Sequence, residues 1–239
     1  TTAGFTVEIA KHLSQAYGGV TVLPHLTCVT LKKQGAEDLL AKIKDAGLEN
    51  IMALRGDLPQ DGKREHDFEY AVDLIRFIKE HSDICVGGAC YPEGHVESPS
   101  LEEDIRHLKE KVDAGCDFLT TQMFFDNKVM YDFLDRIDKG GIHVPVLAGI
   151  MPITSPVQLG RSVELSGTSV PDRLRILADK FGHDPAAMKT AGIIYATEQI
   201  IDLIAHGVNH IHVYTMNKPD IAERIVRNLK GIYNLYWDI

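Results

Sequence analysis

The chain has 239 residues, 44% of them hydrophobic and 25% charged, with a formal net charge of −9. That length supports one large domain with a sizeable core, and the acidic balance argues against a broad phosphate-backbone surface, so no nucleic-acid partner is expected. No apolar run reaches the length of a membrane span and no basic-then-apolar signal opens the chain, while Cys28, Cys85, Cys90 and Cys116 form no CxxC pair and read as reduced thiols of a cytoplasmic protein, not as disulfides or zinc ligands.

Hydrophobic periodicity predicts a helix over 6–16, with Val7, Ile9, Ala10 and Leu13 as its apolar positions. A strand over 19–29 follows, then a helix over 35–47 closed by Gly47. A strand over 50–56 leads to a helix over 68–82 and a strand over 83–92. The helix over 100–115 opens on a capping box, Ser100 and Glu103. A strand over 116–125, a helix over 128–141 and a strand over 144–152 come next. Three helices fill 156–206, a strand covers 209–217, and a final helix starts at Pro219. Strict alternation of this kind builds a parallel sheet with crossover helices.

The chemically distinctive residues are each read as falling just after a strand: His25, Arg55, Asp57, Tyr91, Gln122 and Tyr214. A doubly wound sheet would gather them near one crevice. Their recurrence after all but one strand fits the C-terminal face of a (β/α)8 TIM barrel better, and no GxGxxG follows a strand. Six of eight strands are visible, with a helical insertion before the last strand. The chain opens on a helix, as if two strands preceded residue 1. A single catalytic barrel domain over 1–239 is expected.

Arg55, Gly56 and Asp57 end an apolar strand, where charges are costly unless they meet a partner or ligand. Ligand binding is weighed above a structural ion pair there. On the helix over 100–115, Leu101, Ile105, Leu108 and Val112 form an apolar stripe, bordered by Asp104, His107 and Lys111, with Glu110 towards solvent. The border stripe could hold a sugar-phosphate group, although spacing alone fits a solvated flank better. Tyr91, Glu93 and His95 share one loop. His210 and His212 make a poor metal pair without a third ligand, and no metal is expected. Gln122 beside aromatics suits a flat heteroaromatic ligand as well as it suits a core hydrogen bond. No nucleophile elbow or Schiff-base lysine stands out, which points to chemistry carried by a cofactor. Residue by residue, the reading ends at a ligand-binding α/β barrel with an anionic or aromatic cofactor.

Seven segments, "PHLTC" (24–28), "ALRGDLP" (53–59), "YPEGH" (91–95), "LKEKVDAG" (108–115), "TTQMFFD" (120–126), "GIMPI" (149–153) and "HVYTMN" (212–217), together resemble the methylenetetrahydrofolate reductase family, in family order. The resemblance implies a (β/α)8 barrel with non-covalent FAD and NADH or NADPH as co-substrate. It implies a flavoprotein oxidoreductase of folate one-carbon metabolism and methionine biosynthesis. The reaction would reduce 5,10-methylenetetrahydrofolate to 5-methyltetrahydrofolate, the two substrates alternating on one flavin face. By family match His25, Arg55, Gly56, Asp57, Tyr70, Ala71, Ala89, Tyr91, His95, Asp104, His107 and Lys111 would contact FAD. Asp57 and Gln122 would act in catalysis and bind folate, with Gln158, Tyr214 and Lys218 as outer substrate contacts. A homo-oligomer is expected, and an electron-transfer subunit is a candidate partner. The sequence departs from the family pattern at three places. His107 and Glu110 stand where bacterial relatives often have Asn and Arg. Ser162 stands where an aromatic substrate contact is common. The family's opening strand, whose Ser-Phe-Glu carries the proposed general acid, and its second strand do not appear, so residues before Thr1 or another chain are expected to supply them. The alternatives are a flavin- or folate-binding homologue or partner subunit without its own general acid, and a barrel enzyme acting on a phosphorylated small molecule.

Overall fold

The computed structural model describes residues 2–57 and 66–236. Its elements alternate as the periodicity demands: α1 (Thr2–Ala16), β1 (His25–Thr27), α2 (Lys33–Asp45), β2 (Asn50–Leu54), α3 (Ala71–His81), β3 (Cys85–Cys90), α4 (Leu101–Asp113), β4 (Phe118–Thr121), α5 (Asn127–Lys139) and β5 (Val146–Ile150). Then come α6 (Pro156–Ser166), α7 (Asp172–Phe181), α8 (Pro185–Ala205), β6 (Ile211–Val213) and α9 (Pro219–Tyr236). The strands lie in chain order, β1-β2-β3-β4-β5-β6. His25 pairs with Met52, Asn50 with Cys85 and Ala148 with Ile211, all in parallel register. Parallel strands in sequential order, each joined to the next through helix, are the connectivity of a TIM-barrel-like fold.

The contacts sort the chain into two compact units. One comprises Thr1–Ala89, Arg106–Leu119 and Ile142–Pro145, the other Cys90–Ile105, Thr120–Gly141 and Val146–Ile239. In the first, Ile43, Ile51, Leu74, Ile75, Ile78 and Val86 are fully buried, and the Phe68 and Phe77 rings meet edge to face at 5.2 Å. In the second, Met123, Phe125, Met151, Ile153, Leu159, Leu174, Ala178, Met188 and Tyr195 form one buried cluster. This cluster explains why the late helices are there: α6, α7 and α8 cover the residues that follow β4 and β5. Among the described residues no helix is long and apolar enough to cross a membrane.

Several boundaries differ from the sequence reading for local reasons. The strand expected over 19–29 is only His25–Thr27; Pro24 has no N–H to give a ladder, though its carbonyl accepts from Met52 N–H at 2.9 Å. His25 therefore opens β1 instead of following a strand. α3 begins at Ala71, not 68, because the Asp73 carboxylate takes the N–H groups of Glu69 and Tyr70 at 3.1 and 2.9 Å. Gly47 does close α2, just past the C-cap, with φ +67°. In α4 the Ser100 hydroxyl accepts from Glu103 N–H at 3.2 Å, as the capping-box motif requires. Ile9 and Leu13, expected in the apolar face of α1, are exposed, and Val7 and Ala10 are buried. Leu101, expected in the apolar stripe of α4, is 41% exposed.

Candidate functional site

In the first unit the strand ends place a cation, a glycine and an anion in succession. β2 is buried at its centre and half-buried at its ends. Beyond it, Val29 N–H donates to Arg55 O at 2.9 Å and the Cys28 thiol to the same oxygen at 3.6 Å. The Arg55 backbone is thus pinned by the residues that follow β1, and its side chain is half-buried. Gly56 has φ +83°, and a Cβ there would lie 2.8 Å from Thr27 Cβ. The family resemblance places Gly56 against FAD; the fold supplies a separate reason for a glycine, close contact with Thr27 of β1. Asp57 follows, exposed.

His25 keeps solvent on one side, while burial of the other pushes its pKa below the ordinary histidine value. A neutral imidazole is the result. Tyr70 is exposed and Ala71 half-buried at the start of α3. Lys111, half-buried on α4, donates from Nζ to Ala89 O at 2.7 Å, which holds its ammonium at the C-terminal end of β3. His107 is exposed and meets the Arg106 guanidinium at 2.8 Å from Nε2, while Arg106 pairs with Glu110. Burial pushes the Cys28 and Cys116 thiols up to about 11; both stay protonated and neither is a nucleophile.

In the second unit the 91–98 loop is tied from several sides. Arg136 donates to Pro92 O, and the Glu93 carboxylate accepts from Ser169 N–H at 3.1 Å. Asp104, only 9% exposed, accepts from His95 N–H at 3.2 Å. The Tyr91 and His95 rings meet edge to face at 4.6 Å. Glu97 N–H donates to His95 Nδ1 at 3.1 Å. A backbone N–H can only donate, so Nδ1 is the acceptor and the proton of the neutral ring sits on Nε2.

Gln122 follows β4. Its own N–H donates to Cys90 O at 2.7 Å, and its Oε1 accepts from Met123 N–H at 3.0 Å. That leaves Gln122 its amide N–H groups and one further acceptor position on Oε1. Tyr214 donates its hydroxyl to Thr121 O at 2.8 Å, and burial pushes its pKa up to about 12, so the phenol stays protonated. His212 meets the Tyr214 ring edge to face at 4.6 Å, while His210 is exposed. Ser162 is buried, with its hydroxyl 3.3 Å from Met151 Sδ. Gln158 and Lys218 are brought together through a residue the sequence reading missed. Thr154 bonds to both, at 3.0 Å to Gln158 Oε1 and 3.2 Å to Lys218 Nζ. The only signal for it was its place just before Ser155, which caps α6.

Among the described residues no group of three His, Cys, Asp or Glu side chains could hold a metal ion. In the first unit Arg55 and Lys111 are cationic and His25 adds a neutral nitrogen, donor types that suit the phosphate oxygens of a dinucleotide. A groove of about 610 Å³ lined by Leu177, Phe181, Ala187, Ile194 and Tyr195 contains none of these residues.

Fold and donor set together define an α/β protein of TIM-barrel type with polar groups beside its strand ends. The methylenetetrahydrofolate reductase family model matches residues 1–230, and the chain belongs to that family. It is 35% identical over 210 residues to methylenetetrahydrofolate reductase 1 of Schizosaccharomyces pombe, covering 86% of this chain and 35% of that one. It is 34% identical over 211 residues to the 5,10-methylenetetrahydrofolate reductase of Pectobacterium carotovorum, covering 88% and 70%. The chain thus spans about a third of the fission-yeast relative and over two thirds of the bacterial one. Among solved structures, an uncharacterized Clostridium thermocellum protein that binds two copies of 5-methyl-5,6,7,8-tetrahydrofolic acid superposes with TM-score 0.60. That match is 15% identical and covers 92% of this chain and 77% of the other; at this identity the likeness is one of fold.

Proposed function

We propose that the chain reduces 5,10-methylenetetrahydrofolate to 5-methyltetrahydrofolate with NADH or NADPH as hydride donor, by alternating half-reactions through non-covalent FAD in the cytoplasm. The observation that carries this reading is the family match over residues 1–230. NAD(P)H is oxidised to NAD(P)+, and the folate takes up a hydride and a proton as its methylene bridge to N10 opens. FAD would supply the relay of the hydride between two substrates that need not be bound together.

The residues of the chain have distinct parts in this reading. Arg55 and Lys111 neutralise anionic charge of the dinucleotide, and their positions are set by the pinned Arg55 carbonyl and by the Lys111 bond to Ala89 O. His95 offers Nε2–H because Glu97 fixes its tautomer. His25, Gly56, Tyr70, Ala71, Ala89, Tyr91, Asp104 and His107 complete the cofactor set, Asp104 by holding the His95 backbone. Asp57 presents a carboxylate to the reacting ring system, and Gln122, its amide oriented by the Met123 N–H bond to Oε1, offers its N–H groups. Tyr214, with its hydroxyl committed to Thr121 O, presents its ring.

An anaerobic visible spectrum of the purified protein tests the proposal. A yellow protein is expected to bleach on addition of NADH or NADPH and to recover its colour on addition of methylenetetrahydrofolate. In the Asp57→Asn variant the recovery should slow by about a hundredfold, the loss typical of one aimed electrostatic group, while nicotinamide-driven bleaching persists. A protein that stays colourless with added FAD would reduce the assignment to common ancestry.

A further inference from the structure

We propose that Thr154 is a positioning residue whose hydroxyl fixes Gln158 and Lys218 as a donor-only end of the site, fitted to carbonyl and carboxylate oxygens of a folate; the inference rests on the folate-reductase reading above. The hydrogen-bond chain has one possible direction. Thr154 N–H donates to Gln158 at 2.9 Å, so the Gln158 atom facing it is Oε1. The other amide atom lies 3.2 Å from Pro152 O and is therefore Nε2, donating. The Thr154 hydroxyl, 3.0 Å from the same Oε1, must spend its proton there, because a carboxamide oxygen only accepts. Lys218 Nζ, an obligatory donor, then donates to the Thr154 oxygen at 3.2 Å.

The consequence is a fixed polarity. Gln158 Oε1 has both acceptor positions filled by Thr154, so Gln158 can offer a ligand only its second Nε2 hydrogen. Lys218 keeps two ammonium hydrogens. Neither residue can accept, so this end of the site recognises acceptors and disfavours donors. Thr154 is 8% exposed and acts through its two neighbours. Its frame is stiff: Ser155 Oγ accepts from Gln158 N–H at 3.1 Å, Pro156 occupies the first turn of α6, and Ile153 lies in the buried cluster.

Titration calorimetry of the full chain with 5-methyltetrahydrofolate tests this. Thr154→Val keeps the shape and removes the hydroxyl; its Kd should rise about tenfold, as for loss of one hydrogen bond at a charged partner. Thr154→Ser, which restores the hydroxyl, should bind within about twofold of the parent chain, a rescue that mere loss of packing would not give. On a Lys218→Met background, Thr154→Val should cost less than it does alone. Unaltered folate binding by Thr154→Val, or Thr154→Ser binding as weakly as the valine variant, would overturn the inference. Failure of the parent chain itself to bind folate would overturn the reductase reading and this inference with it.

Discussion

Arg55, Gly56 and Asp57 show how much one tripeptide discloses and where it stops. Polar groups at the end of an apolar strand could be read from the sequence, because burial of charge demands a partner. The Cys28 and Val29 donors to Arg55 O could not, since they depend on the register between β1 and β2. The same holds for Gly56, whose neighbour Thr27 is 29 residues away. Two terms oppose a side chain there: the left-handed backbone at φ +83° and a Cβ 2.8 Å from Thr27. Gly56→Ala should therefore cost about 2–4 kcal/mol, strain and overpacking together. Gly47 supplies the control. It shares the left-handed backbone at φ +67° but has nothing within 4 Å of an added Cβ, so Gly47→Ala should cost only about 1 kcal/mol. Urea denaturation of both variants measures the difference; equal losses would remove the Thr27 contact from the account. Gln158 is a subtler case. Family pattern gave it to substrate, but only its bonds to Thr154 and Pro152 show that one N–H is all it has left.

Helices were legible as elements but not as partners. The apolar period found α4, yet Leu101 is exposed because it sits in the first turn, where its Cδ2 lies over the 94 turn. The polar flank of the same helix splits by role: Asp104 turns in to His95, Lys111 to Ala89, and His107 stays exposed beside Arg106. Nothing in the sequence pairs α5 with α8. In the structure the Asp202 carboxylate of α8 accepts from Asn127 Nδ2 at 2.7 Å and from Tyr131 OH at 2.6 Å. These bonds, Asn127 first and Tyr131 next, hold the Asp202 carboxyl below its ordinary 3.8. A folded pKa below the unfolded one means that the unfolded chain binds more protons as pH falls towards and below 3.8. The contribution is complete above that value and is lost as pH falls through the folded pKa. Asp202→Asn keeps an amide oxygen that can accept from both donors but removes the charge, so on this half-exposed side chain it should lower stability at pH 7 by about 1 kcal/mol. Thermal unfolding from pH 7 to pH 3 should show the gap to the parent chain narrowing only below about pH 4. A gap that is the same at every pH would mean that shape, not charge, makes the tie.

For the whole molecule, alternation of strand and helix was sufficient to predict a parallel sheet in chain order, and the family motifs supplied the rest of the fold class. Strand lengths were not legible: spans of about ten apolar-rich residues shrink to three to six paired ones, because apolar residues such as Met123, Phe124 and Phe125 are buried in the loop after a strand as well as within it. The global charge makes a prediction of its own. The chain carries a formal −9, while FAD, the nicotinamide nucleotides and folate are all anions. Long-range repulsion and short-range attraction by Arg55 and Lys111 then oppose each other. Salt separates them by distance, since the Debye length falls from about 30 Å at 0.01 M to about 8 Å at 0.15 M. Added salt removes the distant repulsion first and leaves contacts at a few ångströms largely intact. Stopped-flow association of FAD should therefore speed up by a few-fold over that range, the reverse of a basic, steering site. Arg55→Gln should raise the dissociation rate and leave this salt trend in place. An association rate that falls with salt would mean that the cationic residues set the field met by the incoming ligand and that the net charge is too remote to matter.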